Sequence, residues 1–226
     1  MARGPAPYNV HHAMLRSAQI FLLSPAWCGG RRAAILLNPR SEFPLARRLQ
    51  AGTLPLGEAF SFLSGLYFRG KLAYSTAFGR TPKTFGPSRF VITPTRGLLV
   101  PETPVDVPVL QEFAAVDVSA LDARYRVPLE RDVAALASQL GGRSRVVLLG
   151  SVATGKYSDV LAGLLGPRLL YPSAFVGRGD MSRGGLLLRA VAAKTELDYV
   201  PLVAGVRQRG PRPPKLPPLT RSPGSR

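Results

Sequence analysis

Two unbroken apolar runs, Ile20–Leu23 and Val146–Leu149, constrain this chain more than any other feature. A strand with one wet face alternates apolar and polar residues. An unbroken run must be covered on both faces, as in a parallel sheet between helix layers. The intervening segments support that architecture. Gly29–Leu37 and Pro44–Gln50 read as short helices. Leu56–Phe78 carries apolar residues at near-helical spacing, interrupted by Gly65 and Gly70. Phe90–Thr93 reads as a strand ended by Pro94. Pro128 is expected to open a helix that places Leu129, Val133, Leu136, Ala137 and Leu140 on one face, stopped by Gly141-Gly142. After the strand Arg145–Leu149, a helix capped by Ser158 or Asp159 runs to Leu165. Leu169–Tyr171 is the next strand, Leu186–Ala193 the next helix and Leu197–Leu202 the last strand. Strands alternating with helices predict an α/β protein, a three-layer α/β/α sandwich with a mainly parallel central sheet.

A 226-residue chain with 46% hydrophobic residues is long and apolar enough for one such domain. Its expected limits are residues 14 and 206, with Met14 a candidate start. Residues 1–13 show no periodicity and are expected to be a disordered extension. Residues 207–226 hold six cations, six prolines and no acid, and are expected to be a disordered basic tail. The net charge is +17, and +17 less the tail's six leaves +11 on residues 1–206. Such an excess repels itself in a compact state and points to a phosphate-bearing partner, nucleic acid first. Arg dominates over Lys alongside Ala, Gly and Pro, so coding bias is the competing explanation. The single cysteine, Cys28, permits no internal disulfide and fits a reducing, cytoplasmic setting. No apolar run approaches the roughly 20 residues that span a bilayer.

Four segments carry candidate binding chemistry. Gly150-Ser151-Val-Ala-Thr-Gly155-Lys156 follows a strand and precedes a helix, the context of a phosphate cradle in which backbone N–H groups and Lys156 meet an anion. Tyr157 stands where an NTPase loop needs Ser or Thr for magnesium. The same glycines also suit a plain strand-to-helix turn. Gly177–Gly185 holds Arg178, Asp180, Ser182 and Arg183 among glycines, with Asp180 the only acid placed to act as a catalyst and helix capping its competing role. Tyr67, Arg69 and Lys71 interleave aromatics with cations, as base-stacking surfaces do, although such a stripe is more often a core face backed by solvated charges. Arg96 sits beyond a strand's carboxyl end, where open sheets place ligands. His11 and His12 are the only histidines, so no Ser-His-Asp set and no zinc spacing can be built from the body, and no cofactor is implied.

The run Phe90–Pro101, preceded by Leu66-Tyr67, resembles the strand-and-loop segment of archaeosine-synthase-type proteins and of bacterial peroxide-stress proteins. The stretch from Val146 to Tyr157 and on through Leu169–Phe175, with Pro172-Ser173, resembles the closing strands of the uracil-DNA glycosylase superfamily. Together these cover roughly residues 15–200. The resemblance implies an α/β/α sandwich and a nucleic-acid or nucleobase ligand. It does not carry over catalysis: the loop Ser24–Gly30 has no water-activating acid, and Tyr171 stands where a histidine precedes Pro-Ser. The alternatives are a nucleotide-binding enzyme using Gly150–Lys156 and a structural protein.

Overall fold

A computed structural model describes residues 17–82 and 86–216. Both the 1–13 extension and Met14 lie outside the described residues. The long strands are β1 (Gln19–Leu23), β3 (Arg89–Ile92), β6 (Arg145–Leu149) and β7 (Leu169–Pro172). They are joined by β4 (Leu98–Leu99) and β8 (Tyr199–Pro201) in a six-stranded sheet of order β4-β3-β1-β6-β7-β8. Inner neighbours pair in parallel, while the two edge strands are antiparallel. Two short strands, β2 (Leu54–Pro55) and β5 (Pro104–Val105), form a separate antiparallel pair.

Side-chain alternation along β1 divides the core. Phe21 and Leu23 enter one apolar cluster; Ile20 and Leu22 enter another on the opposite face. The first face is covered by α1 (Arg31–Leu36), α2 (Pro44–Gln50), α3 (Leu56–Ser64), α4 (Leu66–Phe78), α5 (Val107–Ala114) and α8 (Asp180–Ala192). The second is covered by α6 (Ala123–Gln139) and α7 (Gly155–Leu165). The protein is thus a three-layer α/β/α sandwich.

Several boundaries differ from the sequence reading. The helix expected to open at Pro128 begins at Ala123, because Asp122 accepts a hydrogen bond from the Arg124 amide and caps it. Pro128 lies inside that helix and costs one intrahelical bond at the carbonyl of Arg124, an exposed residue that water can reach. Helix α7 starts at Gly155, not at a Ser158 or Asp159 cap; Asp159 instead pairs with Arg207. Helix α8 starts at Asp180, six residues before the expected Leu186, so the supposed loop Gly177–Gly185 is helical from Asp180 onward. Thr93–Pro101 contains β4, which folds back on β3 as a hairpin, and α5 has no counterpart among the expected elements.

Gly65 does break Leu56–Phe78, at φ 61°, but Gly70 does not. Gly70 lies where α4 crosses α8. A Cβ there would come within 2.8 Å of the Gly184 carbonyl, and one on Gly184 within 2.7 Å of the Leu66 carbonyl. The paired glycines let two backbones touch. Residues 207–216, expected from composition to lack structure, form no helix or strand. They follow the body instead: Arg207 meets Asp159 through two hydrogen bonds, and the Gln208 amide donates to the Val152 carbonyl. No helix among the described residues is long and apolar enough to cross a membrane.

Candidate functional site

Leaving β1, the chain passes to the first face, through α1–α4, before returning as β3. Leaving the adjacent parallel strand β6, it passes to the second face through α7. The two connections diverge at the carboxyl ends of β1 and β6, which makes a crevice at the switch point of the sheet. A cavity of about 790 Å³ lies there. Gly150 packs against Ser24, where a Cβ would lie 3.1 Å from the Ser24 Cβ.

The loop after β1 supplies Ser24, Trp27 and Cys28, and α1 supplies Arg31 and Arg32. Trp27 is 75% exposed, with its indole packed over Gly29 and Gly30, where side chains would crowd the ring at 3.1 Å. Arg32 is anchored by donation to the Phe62 carbonyl at 3.2 Å, and no ion pair holds Arg31 or Lys156 among the described residues. The opposite wall comes from Ser151, Lys156 and Tyr157, with Phe113, Val116 and Asp117 closing one side. The arrangement combines an aromatic face and cations at the rim with a mixed apolar and hydroxyl interior, which is the make-up of a ligand pocket.

The floor is polar and buried. Lys71 is 1% exposed; its Nζ donates to the Ser24 carbonyl at 2.6 Å and to Ser24 Oγ at 3.0 Å, and lies 4.3 Å from the Tyr67 ring centroid. Desolvation pulls its ammonium down to about 7; Arg183 pulls the same way and Asp180 opposes. Tyr67 Oη is buried without a hydrogen-bond partner, and burial raises its pKa, with Arg183 acting against the shift. Burial likewise raises Tyr157, with Ser24 acting against the shift. The Cys28 thiol is pushed up to about 12 by burial, so it stays protonated and inert at neutral pH.

Of the residues singled out from sequence, Tyr67, Ser151, Lys156 and Asp180 line this cavity. Gly150 packs against Ser24, and Lys71 lies behind that residue. The rest are placed elsewhere. Arg69 faces a neighbouring groove with Leu45 and Phe62. Arg96 is held by Glu112 through three hydrogen bonds. Arg178 and Ser182 bond each other beside the tail, where Arg178 also donates to the Pro214 carbonyl. Arg183 is 6% exposed and donates twice to the Phe175 carbonyl while pairing with Asp180 at 3.6 Å. Lys71 and Arg183 therefore present no charge to a solvated phosphate, because the α4–α8 crossing buries both. Gly155 is closed on its outer side by the Asp159–Arg207 pair, whose oxygen and nitrogen lie 2.0 and 2.3 Å from where its Cβ would be. Sequence reasoning missed Ser24, Trp27, Arg31, Arg32, Asp117 and Tyr157. The only tryptophan, set before Gly29-Gly30 in a loop that follows a buried strand, was the available signal.

The fold and site define an open, mainly parallel α/β protein with a ligand-sized cavity at its switch point. No family model, no curated protein and no solved structure matches the chain.

Proposed function

We propose that the switch-point cavity binds a nucleobase-bearing phosphate ligand, with nucleic acid as the physiological form. The observation that carries this reading is the exposed Trp27 face set beside Arg31, Arg32 and Lys156 on the rim of one cavity. An indole stacks any base, and neighbouring guanidinium and ammonium groups neutralise phosphates. The charge of +11 on residues 1–206 adds a long-range attraction of the same sign. The interior, walled by Tyr67, Tyr157 and Phe113, has the flat apolar sides and hydroxyl edges that accept a base turned out of its stack. The resemblance to the glycosylase superfamily supports the same ligand class. If the ligand is turned over, Asp180, which lines the cavity together with Asp117, is the acid assigned to orient water or face a cationic sugar. A free nucleotide held by Gly150–Lys156 is the competing reading, and the Asp159 carboxylate beside Gly155 disfavours an anion on that side of the loop.

Titration of fluorescein-labelled single-stranded and duplex DNA against the protein tests the proposal. Affinity should fall as salt rises, by roughly 0.9 log units per phosphate contact per decade on duplex. Arg31→Ala and Arg32→Ala should each reduce that slope. Salt-independent binding, or none in dilute buffer, rejects the nucleic-acid reading; saturable binding of a mononucleotide that DNA fails to displace supports the competing one.

A further inference from the structure

Base stacking and phosphate contact leave the polar floor of the cavity without a task. Ser24 ends the central strand and lines the cavity, with its Oγ 3.0 Å from Lys71 Nζ. Lys71 is fixed by donation to the Ser24 carbonyl at 2.6 Å and by the Tyr67 and Phe68 rings, at 4.3 and 4.8 Å. No carboxylate forms an ion pair with it among the described residues. Tyr157 lines the cavity beside Ser24, and Tyr67 Oη lies on the same cavity with no partner. A hydroxyl in bonding reach of a held, desolvated amine, with a spare donor on the same wall, is the constellation of an activated nucleophile.

We propose that Ser24 and Lys71 form a serine–lysine dyad that transfers the acyl group of a carboxylic ester to Ser24 and then to water. With Lys71 neutral, the contacts admit a productive proton arrangement: Ser24 Oγ donates to Nζ, and Nζ donates to the Ser24 carbonyl. Oγ attacks the ester carbon, forming the Oγ–C bond, while its proton passes to Nζ. The oxyanion accepts from Tyr67 Oη. Collapse breaks the bond to the alcohol oxygen, which takes the proton from Nζ and leaves. Water then attacks the acyl carbon and gives a proton to Nζ; Oγ departs, recovers that proton, and a carboxylic acid is released. Ester and water become acid and alcohol, with no other reactant.

The charge environment suits this role. Asp180 and Arg183 on α8 face Lys71 with opposite effects, while Tyr67 on α4 and Tyr157 on α7 remain neutral. Burial brings Lys71 to about 7, so a large fraction is the free amine near neutrality. The dyad is independent of the nucleic-acid reading. It competes with a structural role in which Lys71 merely ties α4 to the end of β1.

Labelling with a fluorophosphonate distinguishes the two. Ser24 Oγ would bond phosphorus, fluoride would leave and Lys71 would take the proton. Intact mass and peptide mapping should show one adduct, on Ser24, whose rate rises with pH about a midpoint near 7. Ser24→Ala should abolish it, and Lys71→Met, folded by circular dichroism, should slow it by about 100-fold or more. Folded wild-type protein that acquires no Ser24 adduct between pH 6 and 9 overturns the proposal. So does a labelling rate without the midpoint near 7, a result that needs no variant. DNA binding is read on the same preparation: binding without labelling removes the dyad alone, and labelling without binding removes the nucleic-acid reading alone.

Discussion

Lys71→Met gives the most direct view of the cavity floor. Lys71 is 1% exposed, makes no ion pair among the described residues and titrates at about 7 in the fold. Unfolded lysine titrates at about 10.4. The unfolded chain therefore holds a proton more tightly, and below pH 7 the fold carries the whole penalty. As pH rises from 7 toward 10.4 the unfolded state binds more protons than the folded one, so stability contributed through this group increases. With these two values the penalty is about 4 kcal/mol at pH 7 and about 2.5 kcal/mol at pH 8.5, a gain of about 1.5 kcal/mol. Cys28 acts in the opposite sense. Its thiol is held up to about 12 by burial, so stability is lost above its unfolded value of about 8.5. Subtracting the Lys71→Met curve from wild type cancels that contribution. Methionine also removes two donors from Ser24, which costs about 1–3 kcal/mol at every pH and does not alter the slope. Urea denaturation followed by far-UV circular dichroism from pH 6 to 8.5 is the assay, because exposed Trp27 is a poor reporter of unfolding. A wild-type-minus-variant difference that stays flat between pH 7 and 8.5 would refute a neutralisable buried lysine, and with it the base of the proposed dyad.

Tyr67→Phe removes a buried hydroxyl with no partner, so its stability should be unchanged or higher in urea, while fluorophosphonate labelling should slow. Gly184→Ala places a methyl 2.7 Å from the Leu66 carbonyl; despite the better helix propensity of Ala, a loss of about 1–3 kcal/mol is expected by denaturation, with the α4–α8 crossing forced apart. Trp27→Ala should leave the melting temperature nearly unchanged, since the ring is mostly exposed, and should weaken single-stranded DNA binding by about 1–3 kcal/mol in a fluorescence-anisotropy titration. Truncation after Val206 breaks the solvent-screened Arg207–Asp159 pair and should shift the melting temperature by only a few degrees in a thermal scan.

The layering was legible in the sequence because it is written locally. Unbroken apolar runs at Ile20–Leu23 and Val146–Leu149 admit little but strands covered on both faces, and the parallel sheet follows from them. The strand–loop–helix setting of Gly150–Lys156 was legible for the same reason, as strand, glycine and helix signals lie next to one another. Helix starts were less so: Asp122 caps a helix that Pro128 does not open, because a proline inside a helix and a proline at its start look alike until the carbonyl it displaces is known to face water.

The site depended on distances across the fold. Ser24 and Lys71 are 47 residues apart and meet only because α4 crosses α8 at Gly70 and Gly184, turning one face of α4 toward the end of β1. That crossing converts Lys71 and Arg183 from apparent surface cations into buried groups, leaves Arg69 outside, and brings Tyr67 to the cavity. Composition recorded a cationic chain in either case. Which charges meet solvent, which hydroxyl lacks a partner and which amine loses its water are consequences of helix packing, and packing is decided by contacts between segments that share no local signal.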